Sequence, residues 1–171
     1  LADAHGLPVI SFVDTPGFMV GPESEKTAMV RRAGRLFVTA ASLRVPVLSV
    51  VLRRGYGLGA IALTAGHFHA PVAICAWPSG EFGAMGIEGA VRLGFSKQLE
   101  AAALDSADAR DALFRQLVAQ AIERGQALNM ASHLEIDEVI DPADTRAWLL
   151  RHLHVACSAP LPPRRGFIDA W

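Results

Sequence analysis

The chain has almost no charge excess, few cysteines and no long apolar run, and each absence removes a class of function. Its 16 Lys and Arg stand against 17 Asp and Glu, a formal net charge of −1. That balance gives none of the clustered basic surface of a nucleic-acid binder. The basic positions Lys26, Arg31, Arg32 and Arg35 read instead as a solvated helix face. The two cysteines, Cys75 in an apolar run and Cys157 near the tail, lack metal-ligand spacing. They read as free thiols of a reducing compartment, so the cytoplasm is the expected location. No stretch approaches the roughly 18 apolar residues of a membrane span. No basic segment followed by an apolar core marks a secretory signal after Leu1. The first residue is not Met, and the chain reads as a fragment. What is present is 51% apolar content in 171 residues, enough for one compact core.

Strand and helix patterns alternate along the chain. Pro8 to Val13 reads as a short apolar strand, followed by the loop DTPGFMVGPE from Asp14 to Glu23. Ser24 is placed to cap a long helix with Met29, Ala33, Leu36, Phe37, Ala40 and Ala41 on one face, ending near Arg44. Val45 to Leu52 and Pro71 to Trp77 read as strands whose continuous apolar character suits a buried parallel sheet. A second loop spans Pro78 to Gly89. Ser106 is placed to cap a helix to about Arg124, and Ile136 to Ile140 reads as a short strand. Asp141 and Pro142 open a last helix with Trp148, Leu149 and Leu153. The expected domain is residues 1–158, and the Pro-rich tail, 159–171, is expected to be extended. The pattern predicts a layered α/β fold with ligands beyond the carboxyl ends of the strands.

At one such end lies VPVLSVVLRRGYGLGAIALTAG, Val45 to Gly66. Gly55, Gly57 and Gly59 permit tight backbone and close approach, and the helix start that follows offers unpaired N–H donors at the positive end of a dipole. The segment reads as a cradle for an anion or oxyanion. Gly57, Gly59 and Ala62 fit G-x-G-x-x-A, but Gly66 and Pro71 leave too little chain for the roughly three turns of a Rossmann crossover helix. The acid expected for a dinucleotide, Glu81, also lies beyond the strand tip. Asp14-Thr15-Pro16-Gly17 has the form of a GTPase metal-side loop, yet no G-x-x-x-x-G-K-[ST] accompanies it. Asp14 reads equally well as a turn residue bonding its own loop. Ser79 sits in no G-x-S-x-G elbow, His67 and His69 lack a third metal ligand, and Glu81 and Glu88 read as structural.

The order of segments is more specific than any one of them. PVISFVDTPGF, SEKTAMVRRAGRLFVTAAS, the glycine turn, APVAICAWPSGEFGAMGIEGAV and ALNMASHLEIDEVIDPADTRAWL together resemble the C-terminal half of carboxyltransferase subunits (beta type) of biotin-dependent acyl-CoA carboxylases. The resemblance runs from Pro8 to about Leu153. It implies a crotonase-like ββα spiral with a mostly parallel sheet and flanking helices. It also implies transfer of a carboxyl group from carboxybiotin, carried on a partner domain, to the α-carbon of an acyl-CoA of the acetyl or propionyl type. No metal is implied in this half. The N–H groups of Leu58 and Gly59 would form the oxyanion hole for the biotin ureido oxygen, with Gly55, Tyr56, Gly57 and Ala60 shaping the biotin site. Ile61 would lie beside the acyl group. Many relatives have glycine where Leu58 stands; the N–H survives that change, but the side chain brings bulk toward the pocket. Implied partners are a biotin carboxylase with its biotin carboxyl carrier, the N-terminal carboxyltransferase half and further copies of the subunit. Neither nucleic acid nor membrane is expected. Another crotonase-like acyl-CoA enzyme and a non-catalytic assembly domain are the alternatives.

Overall fold

The structure, a computed structural model, describes residues 1–163 and Gly166. Five strands build its frame: β1 (Val9–Thr15), β2 (Val47–Tyr56), β3 (Ala73–Ala76), β4 (Glu81–Gly83) and β5 (Glu138–Val139). Nine helices flank them among the described residues: α1 (Ala2–His5), α2 (Pro22–Lys26), α3 (Met29–Ser42), α4 (Gly57–Leu63), α5 (Ile87–Gly94), α6 (Ser96–Asp105), α7 (Ala107–Arg124), α8 (Ala127–Ser132) and α9 (Thr145–Ala156). The sheet order is β1-β2-β3-β5, with β4 also on β2, and all strand pairs are parallel.

β2 is central because Val47, Leu48, Val50 and Val51 are apolar on both faces, which only a sheet covered on both sides can use. Its first half pairs with β1 and β3. β3 stops at Ala76, and β4 takes over the last residues of β2, pairing Arg54, Gly55 and Tyr56 with Glu81, Phe82 and Gly83. The jog between β3 and β4 is tied to β2 by the Trp77 N–H on the Val51 carbonyl (2.9 Å) and the Ser79 hydroxyl on the Leu52 carbonyl (2.6 Å). One face of the sheet packs Leu48, Val50 and Cys75 under Trp148 and Leu149 of α9. The Trp148 indole N–H donates to Glu138. The other face joins Val13, Val51, Ile74 and Phe82 to Ala60 of α4 and Ala127 of α8. A third cluster sets Tyr56 against Ile87 and Val91 of α5, with α7 packed over it.

Several expected boundaries move. The long helix from Ser24 is two helices, because Ala28 takes a left-handed conformation (φ 57) between α2 and α3. Ser24 lies inside α2 and caps nothing. The apolar face predicted for that helix is only partly covered: α3 has no buried residue, and Leu36 is exposed. β2 runs past Leu52 to Tyr56, whereas the strand expected over Ile136 to Ile140 shrinks to two residues. The Ser106 cap stands as expected, its hydroxyl accepting from the Ala109 N–H at 3.0 Å. Asp141 likewise accepts from the Ala143 N–H at 2.8 Å, opening a 3-10 turn that leads into α9. In the tail, Pro160 to Pro163 have no regular structure; residues 164–165 and 167–171 of the expected extended segment lie outside the described residues. Among the described residues no helix is long and apolar enough to cross a membrane.

Cys75 is buried and Cys157 exposed, both as free thiols. Burial, and after it the Glu138 and Asp137 carboxylates, push the Cys75 thiol from its ordinary 9.0 up to about 12. The folded state therefore holds this proton more tightly than the unfolded chain. Its contribution is intact below pH 9 and is lost as pH rises from there toward 12. Alkaline titration of stability is expected to fall from about pH 9, with the early part of that fall reduced in Cys75→Ala. A native thiol assay is expected to label Cys157 and spare Cys75 until the protein is denatured.

Candidate functional site

The carboxyl end of β2 delivers the chain directly into α4, and the glycine turn singled out in the sequence lies at that junction. Gly55 and Tyr56, expected in the turn, are the last residues of β2. Gly55 is buried, and an added Cβ would lie a tight 3.3 Å from the Phe82 ring. The Tyr56 hydroxyl donates to Glu81 Oε2 at 2.6 Å, which ties the end of β2 to the start of β4. Burial first, then that hydrogen bond, raise the Tyr56 pKa far above its ordinary value, so the phenol is neutral and a donor. Glu81 thus serves Tyr56 and not a ribose.

Of the three glycines only Gly57 has a positive φ, +57°. A Cβ there would also lie 2.7 Å from the Ala84 carbonyl oxygen. Gly59 is needed for close approach: a Cβ on it would sit 2.9 Å from the Gly17 Cα, so the first turn of α4 packs directly on the DTPGF loop. Leu58 lies between them within α4 in ordinary helical backbone, and its substitution for glycine carries no backbone strain. Leu58 and Gly59 fall in the first turn, where N–H groups have no acceptor within the helix, and Tyr56 at the cap contributes no side-chain hydrogen bond.

The DTPGF loop is fastened to β2 at the same end. Asp14 accepts from Arg53 Nη2 at 3.1 Å and from the Arg54 backbone N–H at 3.2 Å. It therefore bonds the neighbouring strand instead of its own loop. The Arg53 hydrogen bond, followed by that of the Arg54 backbone, holds its carboxyl below the usual range. Inside the loop, Thr15 Oγ1 accepts from the Gly17 N–H at 3.2 Å.

Two apolar cavities flank the start of α4. The larger, about 590 Å³, is lined by Gly57, Leu58 and Ile61 together with Phe68, Phe82, Arg124 and Met130. The smaller, about 290 Å³, lies between the Pro16 to Val20 loop and Ala84 to Gly86, and it too touches Gly57 and Leu58. Gly57, Leu58 and Ile61 thus meet at a cavity. Ala60 instead turns into the core beside Val13 and Val51. Phe68, Phe82, Met130 and Arg124 escape the sequence reading, as they come from a connector, from β4, from α8 and from the end of α7, and no shared motif links them. Phe68 and Phe82 meet edge to face, ring centroids 5.5 Å apart, forming a firm apolar wall.

His67 and His69, weighed as metal ligands, line neither of these cavities. The His67 ring accepts from the His69 N–H (3.1 Å), and His69 approaches Glu135 at 3.9 Å. Among the described residues, no group of three or more His, Cys, Asp or Glu is arranged to hold a metal.

Comparison with known proteins gives this junction its relatives. The propionyl-CoA carboxylase carboxyltransferase subunit of Haloferax mediterranei is 34% identical over 154 residues, which make up 90% of this chain and 29% of that protein. The methylmalonyl-CoA carboxyltransferase 12S subunit of Propionibacterium freudenreichii subsp. shermanii is 36% identical over 84% of this chain and 26% of its own length. Among solved structures, a single-chain, multi-domain long-chain acyl-CoA carboxylase matches with 53% identity and a TM-score of 0.75, over 88% of this chain and 14% of that one. A transcarboxylase 12S structure matches with a TM-score of 0.84 and 28% identity, over 99% of this chain and 32% of that one. The α/β architecture with its parallel sheet is that of the carboxyltransferase, crotonase-like fold. The chain spans about a third or less of the length of these relatives. The family model described as carboxyl transferase domain matches residues 1–167, and with the parallel sheet and the β2–α4 junction in view, this chain belongs to that family.

Proposed function

We propose that residues 1–158 are the C-terminal, crotonase-like half of an acyl-CoA carboxylase carboxyltransferase, with 159–171 as its tail. The half takes part in moving a carboxyl group from carboxybiotin to the α-carbon of an acyl-CoA. The observation that carries this reading is the uncapped first turn of α4, with Gly57 and Leu58 lining two apolar cavities and Gly59 next to them against the Gly17 backbone, in a chain of the carboxyl transferase family. Adjacent N–H donors in apolar surroundings fit an oxygen that gains negative charge during reaction, because such donors act most strongly where water is excluded. Glycine at 57 and 59 fits the same role, since a Cβ at either would collide with the opposing backbone.

Biotin, when bound, supplies the transferable carboxyl group and takes up charge on its ureido oxygen. This chain's residues orient and stabilise. The Leu58 and Gly59 N–H groups hold the oxygen. Tyr56, fixed by Glu81, sets where α4 begins, and Gly57 makes the turn. Gly55 keeps Phe82 close to β2, and Ala60 anchors the helix in the core. Ile61, Phe68, Phe82 and Met130 exclude water and offer an acyl group an apolar wall. A cavity of about 590 Å³ has the size of ordinary ligand sites and suits an aliphatic acyl chain longer than acetyl. The 53% identity to a long-chain acyl-CoA carboxylase supports the same direction. The relatives named above include the carboxyltransferase subunit of a propionyl-CoA carboxylase and the 12S transcarboxylase of a hexameric multienzyme core. Accordingly the proposed partners are a biotin carboxylase with its biotin carboxyl carrier, the N-terminal carboxyltransferase half and further copies, in the cytoplasm.

The test joins this chain to the rest of its subunit and adds the biotin carboxylase, its carrier, ATP and labelled bicarbonate. Label is expected in the product from propionyl- or longer acyl-CoA, and this chain alone is expected to give none. No product from acetyl-, propionyl- or long-chain acyl-CoA would refute the function.

A further inference from the structure

The two cavities beside α4 share three lining residues: Gly57, Leu58 and Ala84. Gly57 has no side chain and Ala84 a single methyl group, whose carbonyl neighbour already closes on Gly57. Leu58 is therefore the only shared residue with bulk. Its side chain is not consumed by the core, being 60% exposed, and its backbone is helical and unstrained. The side chain is thus available to a ligand that enters either cavity.

We infer that the Leu58 side chain is a selectivity partition: it separates the 590 Å³ cavity from the 290 Å³ cavity and confines an aliphatic acyl chain to the larger one. The inference rests on the proposed function for the identity of the ligand, an acyl thioester, but concerns a different part of Leu58. The N–H serves the oxygen; the isobutyl group sorts the acyl chain. A chain in the larger cavity gains contact with Leu58 on one side and with Phe68, Phe82 and Met130 on the others. The smaller cavity, behind Leu58, stays closed to it. Trimming the side chain removes that wall and joins the spaces, so a long chain loses contact and pays for greater freedom, whereas propionyl is too short to touch the wall.

The experiment uses the complete subunit containing this chain and measures dissociation constants for propionyl-, octanoyl- and dodecanoyl-CoA by calorimetric titration. In Leu58→Ala the preference for dodecanoyl over propionyl is expected to fall about tenfold, the lower end of what one methylene contact in an apolar pocket is worth. Leu58→Met, which restores length and volume, is expected to keep the wild-type preference. A uniform change for all three thioesters, or no change, would overturn the partition. Because binding is read directly, a subunit that binds the thioesters yet transfers no carboxyl group contradicts the proposed function while still deciding the role of the side chain.

Discussion

Leu58→Pro is expected to lower carboxyl transfer by the assembled enzyme about a hundredfold to a thousandfold, the typical loss when one preorganised donor to a developing oxyanion is removed. Proline is tolerated in the first turn of a helix, where the missing N–H has no intrahelical partner, so α4 is expected to survive. The change deletes the donor at position 58 and leaves Gly59 in contact with Gly17. Leu58→Ala supplies the comparison, because it alters the side chain and keeps the N–H. If transfer depends on the donor, proline is far worse than alanine at every acyl length. Steady-state kcat on a short acyl-CoA, with circular dichroism as a check on folding, separates the cases. Equal rates for the two variants would remove Leu58 from the oxyanion hole. Gly59 is a poorer place for the same experiment: any side chain there meets the DTPGF backbone at 2.9 Å and confuses a lost donor with a displaced loop.

Gly57→Ala is expected to be strongly destabilising for a single added methyl group. At φ +57° an L-residue costs about 1–2 kcal/mol. Its Cβ would also lie 2.7 Å from the Ala84 carbonyl oxygen, an overpacking that typically costs about 1–3 kcal/mol. Together these predict a loss of roughly 2–5 kcal/mol, a fall in Tm of the order of 10 °C for a chain of this size. Ala84 directly follows β4, which is paired to β2. Gly86→Ala is the control: its φ is −50° and an added Cβ meets nothing within 4 Å. Its effect is expected to stay at about 1 kcal/mol or less, that of exchanging glycine for alanine at the N-cap of α5. Calorimetric melting of both variants checks the pair, and similar Tm values for the two would contradict the geometry of the turn.

Much of this site is legible in the sequence because its parts are local. A strand of Val and Leu running into spaced glycines announces a β2–α4 junction, and Ser106 and Asp141 announce their caps. What the sequence hides is set by distant chain. Gly55 and Tyr56 look like turn residues, but β4 extends β2 through them, and β4 is three residues inside a Gly-rich loop with no period to detect. Residues 87–105 form α5 and α6 although Gly89 and Gly94 interrupt their apolar spacing. The break at Ala28 is equally silent, since alanine is a strong helix former and nothing local demands a left-handed residue there. Asp14 reads as a turn residue because its partners, Arg53 and Arg54, belong to the next strand. The cavity walls from Phe68, Phe82, Met130 and Arg124 depend on four elements meeting, which no sequence spacing encodes.

The most direct measurement is the reverse half-reaction, which isolates carboxyl transfer from the biotin carboxylase. The complete subunit containing this chain is mixed with methylmalonyl-CoA and free biotin, and the appearance of propionyl-CoA is followed by chromatography. The account predicts propionyl-CoA formation that requires biotin and drops about a hundredfold to a thousandfold in Leu58→Pro. Formation without biotin, or an undiminished rate in Leu58→Pro, would contradict a biotin oxyanion hole at the start of α4.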